Sequence, residues 1–303
     1  MINIKRAINK FKKFKLTPDK VATTVVWLFI FAYAISILMM YVWILSSSFK
    51  TNRIEFATNI FGWPKELKFD NYAKALENFS IPIMRNRRQV TVYLDELLPN
   101  SLMYVFGCSI AATLCPAIVS YVTAKFDFKF NRVVDGIVII TMVLPIIGSD
   151  AAMIQMTKTL NLYNKMLGMV FMKFTFLGFN YLLLKQSFKS VDRAYSEAAF
   201  LDGASEFRVM VSINFPMVAN VLMIVFTLQI MGFWADWTTP LMYMPLKPTV
   251  AYALYELQFT HDPNLTFKPL QFAACILASL PMIIIFIAFR DKIMGGIAFG
   301  GLK

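Results

Sequence analysis

Trp234, Asp236, Trp237 and Tyr243 lie close together, and Tyr252, Tyr255 and Glu256 follow them. Ring faces and hydrogen-bond acceptors at that density suit stacking on a sugar ring, as in a carbohydrate path. An aromatic belt at a membrane boundary has the same composition, so both readings stand. Lys173 is a cation in an apolar stretch, where a bare ammonium costs about 2.5–3.5 kcal/mol. It must face protein or water, as a donor to ligand hydroxyls, as the partner of Asp135 or Asp150, or as a snorkelling lysine. Covalent chemistry is poorly provided for. His261 is the sole histidine, no phosphate-binding G-x-x-x-x-G-K-[ST] run occurs, and Cys108, Cys115 and Cys275 sit inside apolar blocks as packing residues. The expectation is a chain that is not an enzyme, holds no metal and needs no cofactor.

The elements that position these residues follow from composition. With 58% apolar and 16% charged residues in 303, and a mean hydropathy of +0.58, the chain has more apolar surface than a soluble fold hides. Uncharged blocks of about 20 residues match a ~30 Å hydrocarbon layer. Six spans are expected: Val21 to Ser46, Leu97 to Ala124, Val133 to Met156, Tyr163 to Leu184, Met217 to Tyr243 and Lys268 to Phe289. The fold class is therefore an all-α polytopic membrane protein of the cell membrane, with no β-barrel and no cleaved signal peptide. The net charge of +12 is not a nucleic-acid stripe, because Lys and Arg sit between the apolar blocks. Segment 1–20 is basic and marks the inside, as do Lys125 to Arg132 and the tail from Arg290. Both termini are then cytoplasmic, and the long connection 47–96 lies outside. Pro116, Pro145 and Pro281 are expected to break the second, third and sixth spans.

Between the fourth and fifth spans, Val191 to Pro216 reads as two short helices. Asp192 is a candidate N-cap, Gly203 supplies a left-handed stop, and Ser205 is able to cap a second helix. Alanines on its outer side leave two readings, a knob that another protein covers or an amphipathic connector on the lipid headgroups.

The run Glu197-Ala198-Ala199, then Asp202-Gly203-Ala204, Ile213 and Pro216 resembles the EAA loop of ABC importer permeases. It departs at Phe215, where that loop usually has Leu, and at Val191, near where a proline often precedes it. Ser48-Phe49-Lys50-Thr51, Pro99-Asn100-Ser101-Leu102, Trp234 to Leu241 and the tail Met294 to Lys303 resemble further motifs of the carbohydrate-uptake branch, specifically the second permease of maltose-type transporters. The resemblance covers essentially the whole chain. It implies a type I permease fold, with a shared core over 97–290 and a glycine-rich cytoplasmic tail over 291–303. It also implies a homologous second permease, two ATPase subunits and an extracytoplasmic solute-binding protein as partners. Glu197, Ala198, Ala199, Asp202, Gly203, Ile213 and Pro216 would then couple to the ATPase. Lys173, Trp234, Asp236 and Trp237 would line the path, and Gly295, Gly296, Gly300 and Gly301 would reach the ATPase as an extended tail.

Overall fold

The computed structural model describes residues 18–144, 148–259 and 266–299. Helix α1 (Pro18–Ser48) is apolar on every side, and its membrane-length stretch buries nothing within the chain. Such a helix needs lipid or a neighbouring subunit around it. Its last turn is different: Ser46, Ser47, Ser48 and Lys50 are buried where the chain enters the long connection. There Lys50 Nζ donates to the carbonyls of Asn59 and, at 2.9 Å, Ile60. Asn71 Nδ2 donates to the carbonyls of Ser48 and Lys50 at 2.7 and 3.0 Å. Helices α2 (Arg53–Thr58) and α3 (Asp70–Asn78) follow, the first capped by Asn52 Oδ1, which accepts from Glu55 N at 2.7 Å.

The connection also contains a hairpin, β1 (Ser80–Arg85) paired antiparallel with β2 (Arg88–Tyr93), so the expectation of an all-α chain is corrected. The cause is local. Ile81, Ile83 and Val92 are buried on one face, and Asn86 and Arg87 both take positive φ (54° and 61°), the geometry of a two-residue hairpin turn.

Helix α4 (Leu94–Lys125) threads the molecule and passes through Pro99 and Pro116 without ending. Along it lie three buried clusters. Leu97 joins Ile81, Val92, Val250 and Ala273; Tyr104 and Cys108 join Met169, Ile230 and Met244; Ala117 and Tyr121 join Leu184, Phe188 and Val225. Its neighbours are α8 (Phe179–Ser190) and α12 (Ala219–Ala235).

The expected third and fourth spans are each interrupted. The third is α5 (Asn131–Val143) followed by α6 (Asp150–Thr159), with Gly148 at φ 79° between them; Pro145 lies outside the described residues. The fourth is α7 (Met166–Met172) followed by α8, with Gly178 at φ 123° at the junction. Glycine takes these conformations without the Cβ penalty, so the chain turns there.

Downstream run α9 (Arg193–Leu201), α10 (Glu206–Val209), a π-helical turn (Met210–Asn214) and α11 (Phe215–Met217). The segment Glu206–Met217 meets α12 at 79°. The expected fifth span stops at Ala235, and α13 (Thr238–Tyr243) and α14 (Val250–Glu256) follow it as separate short helices.

Helix α15 (Lys268–Phe299) continues through Pro281 and packs against α1, α3 and α12. Gly295 and Gly296 fall within this helix, which corrects the extended tail expected there, while Gly300, Gly301 and His261 lie outside the described residues. The breaks expected at Pro116 and Pro281 do not occur either. A proline deletes one backbone donor, and the packed turns on either side hold the helix. Among the described residues, α1, α4 and α15 are individually long and apolar enough to cross a membrane, and Glu206–Met217 with α12 would make a fourth, bent span.

Candidate functional site

The knob at 191–216 is built by short-range capping. Asp192 Oδ1 accepts from Ala194 N at 3.0 Å to start α9. At the other end Gly203 has φ 80°; its N–H donates to Phe200 O at 3.0 Å, and Ala204 N donates to Ala199 O at 2.9 Å. Those two bonds are a Schellman stop, which requires a left-handed residue. Ser205 Oγ then accepts from Arg208 N at 3.4 Å and starts α10. Asn214, which the sequence reading passed over, ties the pieces together. It is fully buried in the π-turn, and its Nδ2 donates to Ser196 Oγ at 3.1 Å and to Val209 O at 3.4 Å.

The root of the knob is aromatic. Tyr121 of α4 packs edge-on against Phe188 and Phe215 at 5.6 and 6.4 Å, and Phe188 meets Phe215 at 5.6 Å. The Phe215 departure from the resembling loop thus completes a ring cluster. Lys125 Nζ donates to Val191 O at 2.6 Å, fixing the start of the knob to the end of α4. Above this root α9 has no buried residue. Glu197, Ala198 and Asp202 are exposed, Ala199 and Ile213 half-buried, and Pro216 exposed. Leu201 and Phe207 are 90% and 71% exposed, so this surface carries large apolar side chains with no cover from its own chain.

The second group is assembled by α4, α7, α12 and α13. Lys173 sits just past the end of α7, where its backbone N–H still bonds to Met169 and Val170 carbonyls, and not in the middle of a continuous helix. Its Nζ lies 3.5 Å from Thr239 Oγ1 and 5.5 Å over the Phe233 ring. The expected pairing with Asp135 or Asp150 is not made: Asp135 binds Lys185 at 2.6 Å, and Asp150 accepts from Tyr243 OH at 3.5 Å. Asp236 accepts from Tyr104 OH at 2.7 Å and from Thr239 N at 3.0 Å. Thr239, also missed in the sequence, therefore contacts both ionisable residues. It gives no composition signal, since its role comes from three elements meeting at one point.

Trp234 and Trp237 face elsewhere. With Tyr255, Gln258, Gln271 and Ser279 they line a cavity of about 780 Å³ between α12, α14 and α15. Trp234 Nε1 donates to Ala278 O at 3.0 Å, and Trp237 stacks flat on Tyr255 at 3.7 Å. Stacking covers one face of each ring, leaving at most one face of each for a ligand. The four residues grouped by sequence thus divide into an indole-lined cavity and an adjoining polar cluster around Thr239.

Comparison with known proteins agrees with this architecture. Residues 116–294 match the model of the family described as binding-protein-dependent transport system inner membrane component. The diacetylchitobiose uptake system permease protein NgcG of Streptomyces coelicolor is 23% identical over 276 residues, covering 89% of this chain and 86% of that relative. The probable starch degradation products transport system permease protein AmyC of Thermoanaerobacterium thermosulfurigenes is 25% identical over 271 residues, covering 86% and 89%. A crystal structure of a bacterial ABC transporter involved in the import of the acidic polysaccharide alginate superposes on 92% of this chain and 98% of the compared chain, with a TM-score of 0.72 and 17% identity. The chain belongs to the binding-protein-dependent transport system inner membrane component family. It is a multi-pass membrane protein with an ABC importer permease fold.

Proposed function

We propose that this chain is the permease subunit of an ATP-driven importer that carries sugars or oligosaccharides inward. It would form the path together with a homologous second permease, receive its cargo from an extracytoplasmic binding protein, and leave ATP hydrolysis to two ATPase subunits. Six passes with both ends inside are the arrangement this reading requires, with the two interrupted segments each counted as one broken span. Broken helices are tolerated at membrane depth where protein or a water-filled cavity satisfies the freed backbone groups.

The observation that carries the reading is the knob. It is stopped at Gly203, rooted on Tyr121, Phe188 and Phe215, and presents Glu197, Ala198, Leu201 and Phe207 to whatever lies outside the chain. A helix held rigidly at its base and unpaired at its surface suits transmission of a partner's closure into the bundle. The named relatives that carry diacetylchitobiose and starch degradation products support saccharides as the cargo class.

The path would pass the Trp234 and Trp237 cavity, with the Lys173, Thr239 and Asp236 cluster beside it supplying donors and acceptors for hydroxyls. The test is to purify the complete transporter with its binding protein and measure ATP hydrolysis against a panel of glycans, amino acids and metal chelates. Stimulation by one or more glycans is expected. Stimulation confined to a non-saccharide would overturn the cargo assignment.

A further inference from the structure

Behind the knob lies a polar cavity of about 440 Å³ that the transport reading does not use. Five cations surround it: Lys125 at the end of α4, Arg132 at the start of α5, Lys185 and Lys189 on α8, and Arg193 at the start of α9. Two carboxylates answer them. Asp135 takes Lys185 at 2.6 Å, and Asp127 takes Arg193 at 3.3 Å in a pair so exposed that it contributes little and rearranges cheaply. Lys125 is committed to the Val191 carbonyl. The Arg132 and Lys189 side chains are exposed at the cavity and make no hydrogen bond or ion pair among the described residues, although the Lys189 charge also acts on Asp135. The cavity is therefore an anion site by charge.

Its surroundings say which anion. Phe128 and Phe130, 54% and 74% exposed, lie in the connection between α4 and α5, between the lining residues Asp127 and Asn131. The face of α5 that carries Arg132 and Asp135 continues at helical spacing with Ile139, Met142 and Val143, which are 51%, 45% and 72% exposed. A basic hollow that opens onto bare apolar helix matches an amphiphile with a phosphate head and acyl chains, whereas a free phosphate would leave those side chains unused.

We propose that this cavity binds the headgroup phosphate of an anionic phospholipid, with Arg132 and Lys189 as its ligands and the acyl chains lying along Ile139, Met142 and Val143. The inference rests on the inward placement of the knob, because the anionic leaflet faces the cytoplasm. Since Lys125 and Arg193 border both the cavity and the start of α9, a bound headgroup would also brace the knob.

The test uses the complete transporter, purified with its partner subunits. Native mass spectrometry would compare phosphatidylglycerol with phosphatidylcholine retained per complex, for the parent and for an Arg132→Gln, Lys189→Gln double variant. Neither substitution breaks a bond described above, so assembly is expected to survive. Selective phosphatidylglycerol retention is expected in the parent. The double variant should lose about thirtyfold in affinity, at roughly fivefold for each basic residue near an anionic surface.

Equal retention of the two lipids, or no loss in the double variant, would overturn the site. Complete displacement by millimolar inorganic phosphate would overturn the lipid as its ligand. Sidedness is read separately, by labelling a Ser190→Cys variant with a membrane-impermeant thiol reagent. Labelling in inverted vesicles supports the placement, while labelling in intact cells would overturn the topology without touching the retention result.

Discussion

Gly203 and Lys173 show how much a single position carries. At Gly203 an added Cβ would meet nothing within 4 Å, yet φ is 80°, so the penalty of substitution is conformational and not steric. Gly203→Ala should therefore cost about 1 kcal/mol. Gly203→Val should strain the stop by ~1–3 kcal/mol. The expected outcome is a graded loss, alanine then valine, of transport and of substrate-stimulated ATP hydrolysis together, with the bundle still inserted. Parental transport by the valine variant, its ATPase still bound, would remove the knob as the coupling element.

Lys173 holds no carboxylate, so Lys173→Met should leave the yield of assembled complex unchanged. Lys185→Met should lower it, because Asp135 loses its paired cation and keeps only the Tyr181 hydroxyl as a donor. The Asp135 side chain is 36% exposed, which keeps that loss below the ~3 kcal/mol of a fully buried pair. Size-exclusion profiles of the two variants give the comparison. If Lys173→Met assembles but no longer transports, the cluster around Thr239 belongs to the path.

Two elements outside the bundle are held by chemistry of their own. Glu55 is buried in the connection after α1. Burial pushes its pKa up, but bonds from Thr51 N (2.8 Å), Thr51 Oγ1 and Lys65 N (2.7 Å), with the nearby Lys50 charge, outweigh this and bring it below the ordinary carboxylate value. A depressed carboxylate contributes stability in full above its unfolded value of about 4.3, and the contribution falls away as pH drops through the folded value. Burial lowers the pKa of the Lys50 ammonium against the pull of Glu55. Limited proteolysis between Thr51 and Lys68 should thus accelerate below about pH 4 in the parent, whereas Glu55→Gln should be cut faster already at neutral pH and change less with acid.

In the hairpin, Arg87 occupies a left-handed position that glycine would take without penalty. Arg87→Gly should stabilise β1–β2 by up to about 1 kcal/mol, seen as slower amide exchange over Ser80–Tyr93. Slower exchange in Arg87→Val would contradict the turn assignment. Both devices were only partly visible in the sequence. The lysine after α1 is part of a motif, but its carbonyl partners are nine and ten residues away, and the Ile81/Ile83 alternation is short enough to pass for loop.

At the scale of the molecule, the long apolar helices and the knob were legible because their signals are local: uncharged runs, a cap at Asp192, a stop at Gly203. A break in the third segment was expected from Pro145, while the one at Gly178 in the fourth was not; the linking roles of Asn214 and Thr239 and the Asp135–Lys185 pair were not legible either, since each joins residues far apart in sequence. The topology proposed here makes its own prediction. A reporter placed in Lys125 to Arg132 should be inside and one in Phe56 to Asn78 outside, as the flanking basic residues dictate; a reversed or mixed pattern would exclude six passes with both ends inside.

Helix α4 adds a mechanical consequence. Its 32 residues, at 1.5 Å each, make a strut of about 48 Å clamped at three heights by separate cores. If the strut pivots near the Tyr121 ring cluster, a tilt of about 10° carries its outer end through roughly 7 Å, enough to open or shut a passage one sugar ring wide. On the proposed coupling role, the knob's small footprint would be the short arm of a lever, trading force at one end of the strut for travel at the other.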